Sequence, residues 1–247
     1  MAAPSRPRVL VLRHGDDPPD DRVHTHLHLA GYAIETLRLH AGDTLPALDT
    51  IAGAVVHGGP FDADGEARHP FLRDEDRVIA HCLARELPLL GICQGAQQMA
   101  RHLGARTGAM NGRVMEFGYY RVEPTDAGRD MLGEPLVVTQ AHWHTFDIPA
   151  GAVHLARSVL FENQAFSYGP RAVALQFHPE VTIEGFRRWE ERVSAGTWTD
   201  LSGFTGVQDA GERRRAMLAH DEAQARWFRG LLAGLFAPLA SRVARAA

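Results

Sequence analysis

Three strand–turn–helix units in roughly the first 110 residues constrain this chain more than any other feature it carries. Arg8–Leu12 is a short apolar run. It leads through an acidic, Pro-rich loop (Asp16, Asp17, Pro18, Pro19, Asp20, Asp21) into a helical stretch over 21–30, capped by Gly31. Ile51–Val56 is wholly apolar and halts at His57-Gly58-Gly59-Pro60. The helix that follows, over 71–87, has its stripe at Phe71, Leu72, Val78, Ile79, Cys82 and Leu83. Residues 88–92 are the third run and turn at Cys93 into a helix over 95–103, while a further strand over 33–39 follows the first helix. Such alternation demands a mostly parallel central sheet, because parallel neighbours need crossovers and the crossover helices cover both faces.

From 114 to 177 the pattern changes to short strands with close turns, at 117–122, 136–139, 153–157, 165–168 and 172–177. These predict an antiparallel extension of the sheet. A helix over 182–193, a Gly/Ser/Thr-rich connector over 194–205 and a final helical region over 209–243 follow. The last region has an expected apolar face at Leu218, Trp227, Leu231, Leu232 and Leu235. With no internal repeat and no linker, the 247 residues read as a single α/β domain, with a core over 8–193 and a C-terminal helical extension over 207–245 packed on it.

Composition narrows the function. The 26 cations are all arginine and face 30 acidic residues, for a net charge of −4. No basic excess exists to neutralise phosphates, so nucleic acid is not an expected partner. The absence of lysine excludes Schiff-base chemistry, a lysine general base and a Lys-bearing phosphate loop. Two cysteines, Cys82 and Cys93, are too few for a disulfide framework. The longest apolar stretch, 230–240, contains Pro238 and is too short for a bilayer that needs about 20 residues. The N-terminal apolar run is too short for a signal peptide. The expectation is a cytoplasmic protein with no membrane contact.

The most informative stretch is Pro88-Leu-Leu-Gly91-Ile-Cys93-Gln94-Gly95-Ala-Gln97. A buried strand ends, one residue turns sharply and a helix begins, with glycines two before and two after Cys93. This is the Gly-x-nucleophile-x-Gly elbow with cysteine at its apex. The free N–H groups and dipole of the helix N-terminus favour negative charge on that sulfur. Cys82 lacks such glycines and reads as a small buried hydrophobe.

A nucleophilic cysteine needs a base, and the base needs an orienting group. His178-Pro179-Glu180 ends an apolar strand, and residues two apart in extended chain point to one side. His178 and Glu180 can therefore face one pocket. Gly58-Gly59-Pro60 is taken alone a plain turn. Placed at a strand's C-terminal end, it also lets backbone N–H groups point into the crevice, where Gly59 and Gln94 would complete an oxyanion hole.

Together these stretches resemble the class I (triad) glutamine amidotransferase domain, in its stand-alone, guanylate-synthase-like branch. The marks are Gly58-Gly59-Pro60, the elbow from Gly91 to Gln97 and His178-Pro179-Glu180, with further likeness over His142-Trp143-His144-Thr145-Phe146 and Asn163-Gln164-Ala165-Phe166. The resemblance covers 8–189 and implies a flavodoxin-like three-layer fold without cofactor or metal. It implies that Cys93 attacks the side-chain amide carbon of glutamine, that His178 relays the proton to the leaving ammonia, and that Glu180 orients His178. By the same likeness Gly59 and Gln94 hold the oxyanion through their N–H groups, and Gly58, Gln97, His142, Trp143 and His144 bind substrate. One departure stands out: in that branch Gly and an acidic residue usually precede Thr-Phe, whereas Thr145 follows His144 at once. A loop shortened there could alter which γ-glutamyl compound fits.

Three activities share this motif set. Ammonia from glutamine could serve a separate synthetase subunit. A free-standing hydrolase could cleave γ-glutamyl peptides or γ-glutamyl amines by the same thioester. A regulatory subunit could keep the fold without chemistry. Two further features have plain readings: His24, His26 and His28 as a solvated helix face rather than a zinc site, and the Asp16–Asp21 run as a solvated loop beside the crevice. The apolar C-terminal helices pack on the domain or serve self-association or synthetase docking.

Overall fold

A computed structural model describes residues 6–237. In chain order the elements are β1 (Arg8–Leu12), α1 (Arg22–Leu29), β2 (Ala33–Leu37), β3 (Ile51–Val56), α2 (Leu72–Ala84), β4 (Leu89–Ile92) and α3 (Gln94–His102). There follow β5 (Thr107–Ala109), β6 (Val114–Pro124), α4 (Arg129–Leu132), β7 (Leu136–His142), β8 (His144–Phe146), β9 (Val153–Ser158), β10 (Ala165–Tyr168) and β11 (Ala172–Leu175). The chain ends in α5 (Ile183–Ser194), β12 (Thr205–Val207) and α6 (Ala210–Leu235).

The strands β2-β1-β3-β4-β11 run parallel in that order. The sheet continues antiparallel through β10, β9 and β6, with β7 paired to β6, and β12 lies parallel to β6 at its far edge. The parallel core and antiparallel extension both match the expectation. Both faces of the core are covered, so its central strands β3, β4 and β11 are apolar at every position rather than alternating. Val9 and Val11 pack toward α1 and α6 with Val55, Leu90, Phe228 and Leu232. Leu10 and Leu12 pack on the opposite face toward α2 and α3 with Val56, Val78, Ile79 and Met99. The order β2-β1-β3 places a topological switch between β1 and β3, where a crevice opens at the carboxyl ends of the strands.

Several boundaries differ from expectation. The second strand stops at Leu37, because Leu39–Ala41 form a 3-10 turn closed by Gly42 at φ 99°. The short β5–β8 sheet carries no alternation long enough to be read from sequence. Leu218, expected on the apolar face of the last helix, is 64% exposed. The stripe that packs is Met217, Gln224, Ala225, Phe228, Leu232 and Leu235, and Leu218 sits one residue, about 100°, off it. That helix opens on a capping box in which the Asp209 carboxylate accepts from Glu212 N–H and the Glu212 carboxylate from Asp209 N–H. The expected continuation to 243–245 lies outside the described residues. No helix among the described residues is long and apolar enough to cross a membrane.

Candidate active site

Cys93 stands between β4 and α3 at φ 52°, ψ −108°, a backbone conformation that a non-glycine residue adopts only under strain. The surroundings hold it there: its N–H donates to Leu175 C=O at 2.7 Å, and its C=O accepts from Gln97 N–H at 3.0 Å. A Cβ on Gly95 would lie 2.0 Å from the Val56 carbonyl oxygen, so the helix can enter this close to β3 only with glycine there. Cys82, by contrast, is fully buried on α2, and burial pushes its thiol up to about 12.

His178 follows β11, its N–H donating to Thr139 C=O at 2.8 Å. The ring's Nδ1 lies 2.8 Å from Glu180 Oε1, and Cys93 is its other neighbour. Burial opposes charge on the imidazole, but Glu180 and Cys93 outweigh it and hold its pKa up at about 10. Trp189 from α5 meets the ring edge-on at 5.0 Å. Arg22 secures the turn that carries Glu180: its N–H donates to Glu180 C=O at 2.9 Å, and its guanidinium binds Pro179 C=O and Val181 C=O. One nitrogen of the same guanidinium donates to both carboxylate oxygens of Asp221 of α6, at 2.7 and 2.8 Å.

The wall facing Cys93 is the Gly58–Gly59 turn after β3. A Cβ on Gly58 would sit 2.6 Å from His178 Cε1 and 3.1 Å from Cys93 Cβ. Behind the turn, His14 Nδ1 lies 3.1 Å from Gly58 C=O and Nε2 lies 2.8 Å from Glu75 Oε1. A backbone carbonyl only accepts, so His14 Nδ1 is the donor to Gly58. The peptides of the described residues are trans, so holding the Gly58 carbonyl toward His14 directs the Gly59 N–H the opposite way. Gln98 Nε2 fixes Glu75 at 2.7 Å, and Gln94 Oε1 accepts from Phe61 N–H at 3.0 Å. The sequence gives Gln94 a backbone role; its side chain also ties down the turn. His14, Glu75 and Gln98 were not legible, the only hint being that His14 follows a strand at the sheet's carboxyl edge.

A cavity of about 440 Å³ joins these parts, lined among others by Gly58, Gly59, Cys93, Trp143, His178 and Glu180. Gln97, His142 and His144 are not brought to its wall with Trp143. The Gln97 amide donates to Gln176 Oε1 at 3.1 Å, and His142 is buried between Glu116 and the His144 carbonyl. His144 instead faces Asp62 at 3.8 Å. The acidic loop does border the crevice, but not as free carboxylates. Asp17 pairs with Arg192 at 2.5 Å, Asp20 with Arg188 at 2.7 Å and Asp21 with Arg13 at 3.1 Å.

The histidine-rich helix departs from expectation too. His24 is buried rather than solvated, bonded to Asp21 at 3.0 Å and to Thr36 at 3.0 Å, while His28 is exposed. Asp21, His24 and His57 bring ligand atoms within 4.8 Å of one another, the single group of this kind among the described residues. Arg13 donates to the same Asp21 carboxylate, and a guanidinium there opposes a cation. Burial raises the Asp21 pKa, but its bond to His24 and the charge of His57 more than reverse this and hold it well below the usual carboxylate range. Burial dominates at His57 and lowers its pKa to about 4, against the pull of Asp21 and Glu180.

Comparisons with known proteins converge on one family. The model described as glutamine amidotransferase class-I matches residues 22–188. A glutamine amidotransferase-like protein of Salmonella typhimurium, YfeJ, is 32% identical over 167 residues, covering 62% of this chain and 67% of that protein. The glutamine-hydrolyzing GMP synthase of Aliivibrio fischeri is 29% identical over 188 residues, 69% of this chain but 33% of the synthase. The chain thus spans about a third of the GMP synthases it matches. The crystal structure of a glutamine amidotransferase from Thermotoga maritima superposes with a TM-score of 0.81 at 29% identity, over 94% of this chain and 99% of that one.

Proposed function

Because the chain belongs to the class-I glutamine amidotransferase family, we propose that it hydrolyses the side-chain amide of glutamine or of a related γ-glutamyl compound through a thioester on Cys93. The Cys93 sulfur attacks the amide carbon while the carbonyl oxygen takes up negative charge against the N–H groups of Gly59 and Gln94. His178, which keeps its proton up to about pH 10, delivers it to the amide nitrogen; the C–N bond breaks and ammonia or an amine leaves. Water, deprotonated by the now neutral ring, then attacks the thioester carbon. Glutamate leaves, and the sulfur and the protonated ring are restored. Glu180 keeps the imidazole aimed at sulfur, and Trp143 borders the bound substrate.

The observation that carries this reading is the convergence on one cavity of Cys93, the His178–Glu180 pair at 2.8 Å and a turn whose carbonyl is held away from it. The test is release of ammonia and glutamate from glutamine by the purified chain. Cys93→Ala is expected to abolish release and Cys82→Ala to retain it; equal activity in all three proteins refutes the reading. A glutamine-mimicking electrophile should add its mass to Cys93, whereas an unlabelled Cys93 favours a regulatory subunit. Transfer of the ammonia to a separate synthetase would appear as glutamate release that a partner stimulates.

A further inference from the structure

Glutamine does not account for the cavity. Its leaving group, ammonia, is about as large as water, whose share of liquid volume is roughly 30 Å³. The cavity of about 440 Å³ instead lies in the range, roughly 300–1,000 Å³, of pockets that hold drug-sized ligands. The proposed chemistry gives it a direction. His178 must deliver its proton to the leaving nitrogen, so any substituent on that nitrogen continues past the His178 ring. There the cavity is walled by Trp189, 5.0 Å from that ring, and by Trp198, 5.4 Å from Trp189.

The charges around this outer chamber cancel. Arg13, Arg188 and Arg192 line it together with Asp21, Asp20 and Asp17, and each guanidinium is already paired with a carboxylate at 3.1, 2.7 and 2.5 Å respectively. A charged leaving group would have to compete with these ion pairs, only the Arg188 Nε among them lacking a hydrogen-bond partner, whereas an aromatic group would find two indole rings. Trp189, Arg192 and the segment 197–199 all lie beyond residue 188, where the family match ends.

Resting on the thioester reading above, we propose that the substrates are γ-glutamyl amides of uncharged aromatic amines, the ring seated against the wall that Trp189 and Trp198 form together. Hydrolysis balances as before: the C–N bond breaks, the amine leaves with the proton from His178, and water releases glutamate from Cys93.

The test compares kcat/KM of the full chain for glutamine, γ-glutamylbenzylamide, γ-glutamylputrescine and γ-glutamyl-γ-aminobutyrate. The benzylamide is expected to exceed the other three by at least about tenfold, the size of one aromatic contact. Trp198→Ala should lower kcat/KM for the benzylamide about tenfold and change that for glutamine less than about twofold, and Trp198→Phe should restore it. Preference for glutamine or for a charged amide overturns the proposal, as does an equal loss on all substrates in a Trp198→Ala protein whose thermal melt is unchanged. Cys93-dependent turnover of glutamine alone would spare the thioester reading while sinking this one. No Cys93-dependent turnover of any amide would sink both.

Discussion

Two buried histidine–carboxylate pairs flank the same cavity, and they are nearly identical as pairs: His178 to Glu180 at 2.8 Å and His14 to Glu75 at 2.8 Å. They differ in what the second ring nitrogen meets. His178 turns it to the Cys93 sulfur, His14 to the carbonyl of Gly58. In both pairs the carboxylate fixes the ring, and the third partner decides whether the ring moves a proton or holds a peptide plane. A histidine with its acid beside it is therefore no sign of general base catalysis until its other nitrogen is located.

Breaking the first pair should cost most. Cys93→Ala or His178→Ala is expected to lower kcat by about 10⁴–10⁶, as for triad members that act as a unit; a steady-state amidase assay reads this directly. Breaking the second should cost less and differently. His14→Ala frees the Gly58 carbonyl and loosens one oxyanion donor, for a fall in kcat of about 10²–10³ with KM little changed. Alkylation of Cys93 by iodoacetamide develops no oxyanion, so its rate should stay at the wild-type value. His14→Asn, whose amide can donate to the same carbonyl, should recover much of the loss. Slowed alkylation in a well-folded His14→Ala protein would contradict the division of labour.

pH sets the first pair apart from another buried histidine of the same cavity, His57. Glu180 helps to hold the His178 pKa at about 10, so the alkaline limb of the rate profile should lie near there and move to lower pH in Glu180→Gln. Stability has the same sign. The folded state keeps the His178 proton between about 6.5 and 10, so this contribution is full below 6.5 and is lost as pH rises to 10. His57 acts in reverse on stability. With its folded pKa lowered to about 4, the unfolded chain binds the extra proton first, and stability falls as pH drops from 6.5 to 4. Urea melts should show that acid-side loss, and His57→Asn should flatten it.

The two pairs also differ in legibility. His178 and Glu180 stand two residues apart at the end of an apolar run, so strand geometry alone puts them on one side. Gly91 and Gly95 announce the turn at Cys93 because a side chain at either would collide with Met99 Sδ or the Val56 carbonyl. His14 and Glu75 are 61 residues apart, and Gln98 lies 23 further on. No local pattern joins them. The same limit applies to Gln94, whose backbone role follows from its place at the helix N-terminus while its amide's partner, Phe61, does not. It applies also to Leu218, since an apolar residue on a long helix does not say which face the sheet will meet.

What the sequence determined is whatever depends on neighbours along the chain: strand–helix alternation, the glycines of the elbow and a His-Pro-Glu that shares one face. These are set by steric and hydrogen-bonding rules acting over a few residues. Only the tertiary structure decided which polar group ends beside which across the sheet's carboxyl edge. It put His14 behind the glycine turn, Arg13 on Asp21, and Trp189 against the His178 imidazole with Trp198 beyond it. Burial makes each such group take the partner that packing leaves within reach, and that partner comes from anywhere in the chain.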